Sequence, residues 1–330
     1  MRNLNLLLVV LLVFFAIMIG GCTGEKEPDP TVNEEVTELT VGEAPGPVSY
    51  PLAHMTQTDS NLVTMPWKTY DQLLAMITAK QVKLSSSPIT NAVMAYNKGV
   101  NIKLVNVAVW GMLYVVSSDQ SLQGLDNLKG KEVAVNGQGS IHDLVFRHLL
   151  IQKGIDPDTD LTISYMDLPE ASARLVSGDI EYAVLNEPSS SIAILNAKKA
   201  GIDLYRAVDL SEEWGKIPGQ EGNRIPQAGF IMIEDSGITA DEVISFANKY
   251  EESAKWINDN PSEAGTLVEK QNEQMKAPAV SDSLKYARLQ PKMAIDCREE
   301  VEAFLSELIK TAPPNALGGK LPDAEFYFQK

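Results

Sequence analysis

The sequence predicts an α/β protein of two lobes, each a mostly parallel sheet flanked by helices. Three observations predict it. Apolar strand-like runs alternate with helical patterns from Leu39 to Tyr205, the alternation expected of parallel sheets covered on both faces. In both halves of that alternation, strands run into loops rich in Gly, Pro, Ser and Asn that then open helices. About 290 residues follow the N-terminal region, a length that suits two domains better than one.

The N-terminal region reads differently from this body. Arg2 precedes an unbroken apolar run from Leu6 to Ile19. A membrane span needs about 20 apolar residues, so the run fits the core of a secretory signal better. It ends in Ile19-Gly20-Gly21-Cys22, which resembles a lipobox. That resemblance implies removal of residues 1–21, a lipid on Cys22, and a mature chain anchored to the extracytoplasmic face of the membrane. Residues 22–38 have two prolines, many carboxylates and little apolar content. Such a stretch cannot bury enough surface to order itself, so it reads as a flexible tether.

Charge and cysteines narrow the classes further. Without residues 1–21 only Arg2 is lost from the 28 basic residues, leaving 27 against 44 acidic ones, a net charge of −17. A chain this acidic is not expected to bind nucleic acid. Cys22 and Cys297 are the only cysteines. With Cys22 lipidated, no disulfide framework or cysteine metal site can be built, and Cys297 reads as a small buried apolar residue. No metal and no cofactor is expected.

The elements follow in order. Leu39–Gly42 and Asn61–Thr64 read as strands, and Tyr70, Leu73, Leu74 and Ile77 mark one helix face within Lys68–Ala79. Val82–Leu84 is a strand, Ile89–Asn97 a helix stopped by Gly99, and Ile102–Val109 and Leu113–Val116 are β-rich. A second set begins after Lys131. It has strands at Val133–Val135, Leu161–Tyr165, Tyr182–Leu185 and Ile202–Tyr205, with helices at Ser140–Lys153, Pro169–Ser177 and Pro188–Lys199. After a strand at Gln227–Ile233 the pattern turns helical, over 240–258, 262–272, 281–289 and 298–311. Phe326, Tyr327 and Phe328 read as packing on the body. The expected division is lobe 1 over 39–125 plus 230–330, and lobe 2 over 126–229.

Ligands of parallel sheets lie beyond the carboxyl ends of strands, where helix starts present unpaired N–H groups. Four loops qualify: 44–49, 85–91, 136–140 and 186–189. They nominate Ser49, Ser86, Asn91, Gly139, Ser140 and Glu187 as ligand contacts, with Trp110 after a strand as either an indole face on the cleft or core between the lobes. Ser and Asn at helix starts are also ordinary capping residues. A carboxylate at Glu187 favours a ligand carrying an N–H or cationic group, or else Glu187 turns away and caps its own helix. His142 and Asp143 lie near a loop start, within reach of a ligand, and His148 reads as a helix-surface residue. The three histidines form no metal-ligand pattern, no Gly-x-Ser-x-Gly turn is present, and 136–140 lacks phosphate-loop spacing. No catalytic residue is assigned.

Segments spread over 39–330 resemble a known family. They are GPVSYPLAHM (46–55), residues 91–119, LKGKEVAVNGQGS and its continuation to 167, SGDIEYAVLNEP within 175–194, IPQAG (225–229) and GGKLPDAEFYF (318–328). They resemble type II solute-binding proteins of the nitrate/sulfonate/taurine-like ABC importers. The resemblance implies a ligand between two lobes, a hinge of two crossing strands, and docking on a permease and its ATPase, with a monomeric binding subunit. The sequence departs from the family at Ala79–Lys83, where relatives commonly have a Gly-x-x-Asp-type turn. An enzyme of the same fold, of pyrimidine-precursor or menaquinone-pathway type, and a lipoprotein that presents solute to a sensor are the alternatives.

Overall fold

The computed structural model describes residues 38–220, 222 and 224–329. The signal, Cys22 and nearly all of the tether lie outside the described residues.

In chain order the body runs β1 (Leu39–Glu43), α1 (Tyr50–Thr58), β2 (Leu62–Pro66), α2 (Tyr70–Thr78), β3 (Leu84–Pro88), α3 (Ile89–Asn97) and β4 (Ile102–Val109). Next come β5 (Leu113–Ser117), β6 (Glu132–Asn136), α4 (Ile141–Gln152), β7 (Thr162–Met166), α5 (Leu168–Ser177), β8 (Tyr182–Asn186), α6 (Ser189–Lys199), β9 (Tyr205–Asp209) and α7 (Leu210–Trp214). The chain ends with β10 (Ala228–Ile233), α8 (Ala240–Asp259), α9 (Pro261–Gln271), α10 (Ala277–Ser283), β11 (Leu289–Met293) and α11 (Arg298–Leu308).

Two sheets result. The first has the order β11-β4-β10-β3-β1-β2 and the second β7-β6-β8-β5-β9. β1, β2 and β3 are mutually parallel, as are β6, β7 and β8, while β10 and β5 run antiparallel to their neighbours. Their strands are largely buried, since helices cover the sheet faces.

The chain leaves the first sheet after Val109 and enters the second at Leu113. β5 pairs with β8 and β9, so it belongs to the second sheet although it precedes residue 126. The return crossing runs beside it. Ile225 N–H donates to Trp110 O and Gln227 N–H to Val109 O, and the Gln227 side chain accepts from Met112 N–H at 2.9 Å. Two antiparallel crossing segments therefore join the lobes.

Other differences from the sequence reading have local causes. Ser85–Ser87 form strand rather than loop, because β10 returns from far along the chain and pairs with them. β9 begins at Tyr205, where the expected strand ended, and β11 replaces the end of the helix expected over 281–289. β11 is an edge strand, which accommodates Pro291. Phe326, Tyr327 and Phe328 are buried, and Phe328 N–H donates to Leu104 O. Cys297 is buried too, which pushes its thiol up to about 12.

Candidate ligand cleft

The loops that follow β1 in the first sheet and β8 in the second approach each other at Gly46. A methyl placed on Gly46 would lie 3.7 Å from Glu187 O and 3.8 Å from Pro188 Cδ. Gly46 has φ of 120°, a conformation that favours glycine, and it precedes Pro47 at the start of a short 3₁₀ turn. The loop after β1 thus faces the loop after β8.

The nominated residues fall into two groups at this place. Ser49, Ser86 and Glu187 lie beside it but are already engaged. Ser86 Oγ accepts from Ala44 N–H at 2.7 Å, Ser49 Oγ donates to Ala44 O at 2.6 Å, and the two hydroxyls are 3.4 Å apart. They shape the 44–49 loop. The Glu187 carboxylate is fully buried and accepts from Arg206 Nε and Ser191 Oγ, both at 2.7 Å. Burial raises its pKa, against the pull of Arg206 and Ser191. With Arg206 as its partner, Glu187 supplies no free charge for a ligand.

The other four nominated residues have surroundings of their own. Trp110 is buried in the crossing segment, donates Nε1–H to Gln290 O at 2.7 Å and stacks under Arg224. Asn91 is half-buried on α3. Gly139 is exposed, and Ser140 is the N-cap of α4, accepting from Asp143 N–H and donating to Asn136 O. The Gly139 N–H donates to Asp143 Oδ2 at 2.8 Å. A resident carboxylate therefore occupies the anion position that the 136–140 loop offers. Asp143 is held in turn by Arg147 and Tyr165.

Different residues carry unmet hydrogen-bonding capacity. Thr90 Oγ1, both ring nitrogens of His142, Asn186 Oδ1 and Ser211 Oγ are buried and have no partner. Buried polar atoms are nearly always paired, so each such atom calls for an explanation. Here they share a place in the fold. Thr90 follows β3, His142 lies in the first turn of α4 after β6, Asn186 ends β8, and Ser211 follows β9. All four stand at carboxyl ends of strands, in both sheets. Burial pushes the His142 imidazole down to about 4, so it is neutral at pH 7. It stays on the core side of α4, in line with Val145, Phe146 and Leu149, which are also buried.

His142 was legible as a loop-start residue within reach of a ligand. Thr90 and Asn186 lie inside nominated loops, but Ser211 had no signal, because α7 was not expected. His148 is fully buried rather than on a surface: its Nδ1 is 2.8 Å from Thr311 Oγ1 and its ring packs on Trp214. The reason is that α11 covers that side of α4.

A cavity of about 520 Å³ lies between α5 and α6. It is lined mainly by apolar groups of two helices and by none of the four residues with unmet capacity, so the carboxyl edge is the better candidate.

The solved structures agree with this architecture. An ABC transporter protein from Parabacteroides distasonis superposes with a TM-score of 0.75 at 23% identity, over 89% of this chain and 99% of that one. The chain has a type II periplasmic-binding-protein fold. The periplasmic aliphatic sulphonate binding protein SsuA of Escherichia coli gives a TM-score of 0.68 at 16% identity, covering 88% of this chain and 92% of its own. The alkanesulfonate-binding protein SsuA of Xanthomonas axonopodis pv. citri, bound to MOPS, gives 0.60 at 16% identity, over 85% and 96%. A family model described as the NMT1-like family matches residues 72–220. That span holds most of the second lobe, including His142, Asn186 and Ser211. No curated protein matches.

Proposed function

We propose that the chain is the solute-capture subunit of an ABC importer, taking a small polar solute between its lobes and delivering it to a permease. One observation carries this reading. Five buried polar atoms without partners stand at strand ends in both sheets, where the two lobes face each other. A solute bound there and enclosed by both lobes satisfies them. The likeness of the whole body to importer binding proteins supports the same reading. The division we favour is 39–109 plus 228–330 against 113–209, with the two crossing segments as hinge.

The subunit is proposed to act without catalysis, as a monomer. The Ser211 hydroxyl and the His142 ring nitrogens are not hydrogen-bonded to each other, so they do not form the bonded nucleophile and base of acyl transfer. Its place is the outer face of the cell membrane, held by lipid on Cys22. Among the described residues no helix is long and apolar enough to cross a membrane. Cys22→Ala should release the mature protein from the membrane fraction and abolish labelling by radioactive palmitate; unchanged partitioning would remove the anchor from the proposal.

The test of capture is a thermal-shift screen of residues 38–330 against sulfonates, nitrate, carboxylates, pyrimidines, amino acids and neutral polar solutes. A true solute stabilises by RT ln(1 + [L]/Kd), about 2.7 kcal/mol at 100-fold over Kd. If no class stabilises the fold saturably, and no small molecule travels with the full chain in native mass spectrometry, the capture reading fails.

A further inference from the structure

We propose that the solute group held at the strand ends is uncharged and bears both a hydrogen-bond donor and an acceptor, as an amide, a urea or a polyol does, and that simple sulfonates and nitrate are rejected. The inference rests on the capture reading above and narrows it to a chemical class.

The unmet atoms set the requirement. Asn186 Oδ1 is a carbonyl oxygen and can only accept. A neutral imidazole has one N–H and one bare nitrogen, so His142 needs an acceptor on one side and a donor on the other. The hydroxyls of Thr90 and Ser211 serve in either role. A sulfonate or nitrate offers acceptors alone. It would leave Asn186 Oδ1 and one His142 nitrogen without a donor, buried beneath an anion.

The charges around this edge point the same way. Arg206 is taken by Glu187 and Asp282, Arg288 by Asp209, and Arg147 by Asp143 and Asp158. None is free to neutralise an anion. The Asp143 carboxylate already holds the Gly139 N–H. Glu43, at the end of β1, adds another carboxyl group with Thr64 as its side-chain partner. An anion entering here meets acidic groups and no unpaired guanidinium, whereas an uncharged donor–acceptor group completes the hydrogen bonding of both lobes.

The test uses fragment probes and ¹⁵N chemical shifts of the histidine ring, at pH 7, on residues 38–330. Acetamide and urea supply both roles; methanesulfonate and nitrate supply acceptors only. The expected result is a saturable shift of the His142 ring nitrogens with acetamide or urea, lost or weakened at least fivefold in Asn186→Ala and in Thr90→Val, with unchanged circular dichroism. Methanesulfonate and nitrate should leave His142 unmoved. Two variants are used so that a folding failure in one does not remove the comparison. If an anion gives the saturable shift and the neutral probes do not, the ligand class is overturned while capture stands. If no probe moves His142, the class is overturned as well. Capture is then judged on its own by the screen and the native mass spectra described above.

Discussion

Glu187 and Arg206 show how one residue's role depends on what reaches it from far along the chain. Read locally, Glu187 is a carboxylate beside a binding loop. In the fold, Arg206 comes over from β9 with Nε at 2.7 Å and its guanidinium 3.6 Å above the Tyr286 ring. Removing one partner of such a buried pair leaves an uncompensated charge, which costs about 3–5 kcal/mol. Arg206→Leu should therefore lower the urea unfolding midpoint sharply, and Glu187→Gln less so, because an amide still accepts from Arg206. Equal losses would show that Arg206 needs the charge of Glu187 and not only an acceptor oxygen. His142 carries a pH prediction. Its pKa is about 4 in the folded state against 6.5 when exposed, so between these values the unfolded chain binds more protons. Stability contributed by the neutral imidazole is complete above pH 6.5 and is lost as pH falls towards 4. The loss is about 3 kcal/mol at 1.36 kcal/mol per unit of pKa. Chemical denaturation from pH 7 to 4 should show that much less acid loss in His142→Gln than in the parent. Parallel curves would mean that His142 titrates normally.

At the scale of elements, the central pairing of β10 with β4 depends on two residues that local sequence does not mark. Gly229 is one. A methyl there would lie 1.9 Å from Asn106 O, against backbone that cannot yield. Asn106 is the other: its side-chain Oδ1 accepts from Phe230 N–H at 3.0 Å, next to a shift in register. The side chain thus closes a gap that the bulge opens in the ladder. Asn106→Ala should cost about 1–3 kcal/mol through the unsatisfied N–H, and Gly229→Ala more, both read as lowered unfolding midpoints. A neutral Gly229→Ala would show that β10 can shift away from β4. The same long-range pairing explains what was legible. The helices with one apolar face and a cap, such as α2 and α4, are legible in the sequence, because spacing and capping are local. β3 was cut short at Leu84, since Ser85–Ser87 are strand only by virtue of β10. β11 and α7 were missed because Leu289–Met293 contains Pro291 and Leu210–Trp214 is a single short turn. The site followed suit: loops at strand ends are legible, but which of their polar groups are spent depends in part on partners outside the loop, Arg206 for Glu187 and Ala44 for Ser86.

At the scale of the whole molecule, the lobes touch on two flanks of the hinge, and the flanks differ in chemistry. On one, α11 packs on α4 and α7 through Trp214 and Phe304, whose rings are 5.0 Å apart, with His148 against Thr311. That contact buries the Trp214 and Phe304 rings beside the polar pairing of His148 with Thr311 and Glu307, so opening it would expose aromatic surface. On the other flank, Arg206 Nη2 and Ser191 Oγ both reach Asp282 Oδ2 on α10 at 3.1 Å, Tyr114 OH donates to Tyr286 O at 2.8 Å, and Arg288 pairs with Asp209 at 2.7 Å. Burial works against the Asp282 charge, yet Arg206 and Lys285 hold its carboxyl below the ordinary range. Polar contacts can exchange with water, so on the proposed capture reading the second flank is the one expected to open, with Asp282 holding it closed and standing apart from the four groups proposed to meet solute. A ligand that binds only the closed form loses apparent affinity in proportion to the fraction closed. Asp282→Asn should therefore enlarge the radius of gyration of the unliganded protein in small-angle X-ray scattering. It should also raise the Kd of whichever solute the thermal screen identifies, with the shift of the His142 ring at saturation unchanged. A compact unliganded variant that binds as the parent does would mean that the polar flank does not hold the lobes together.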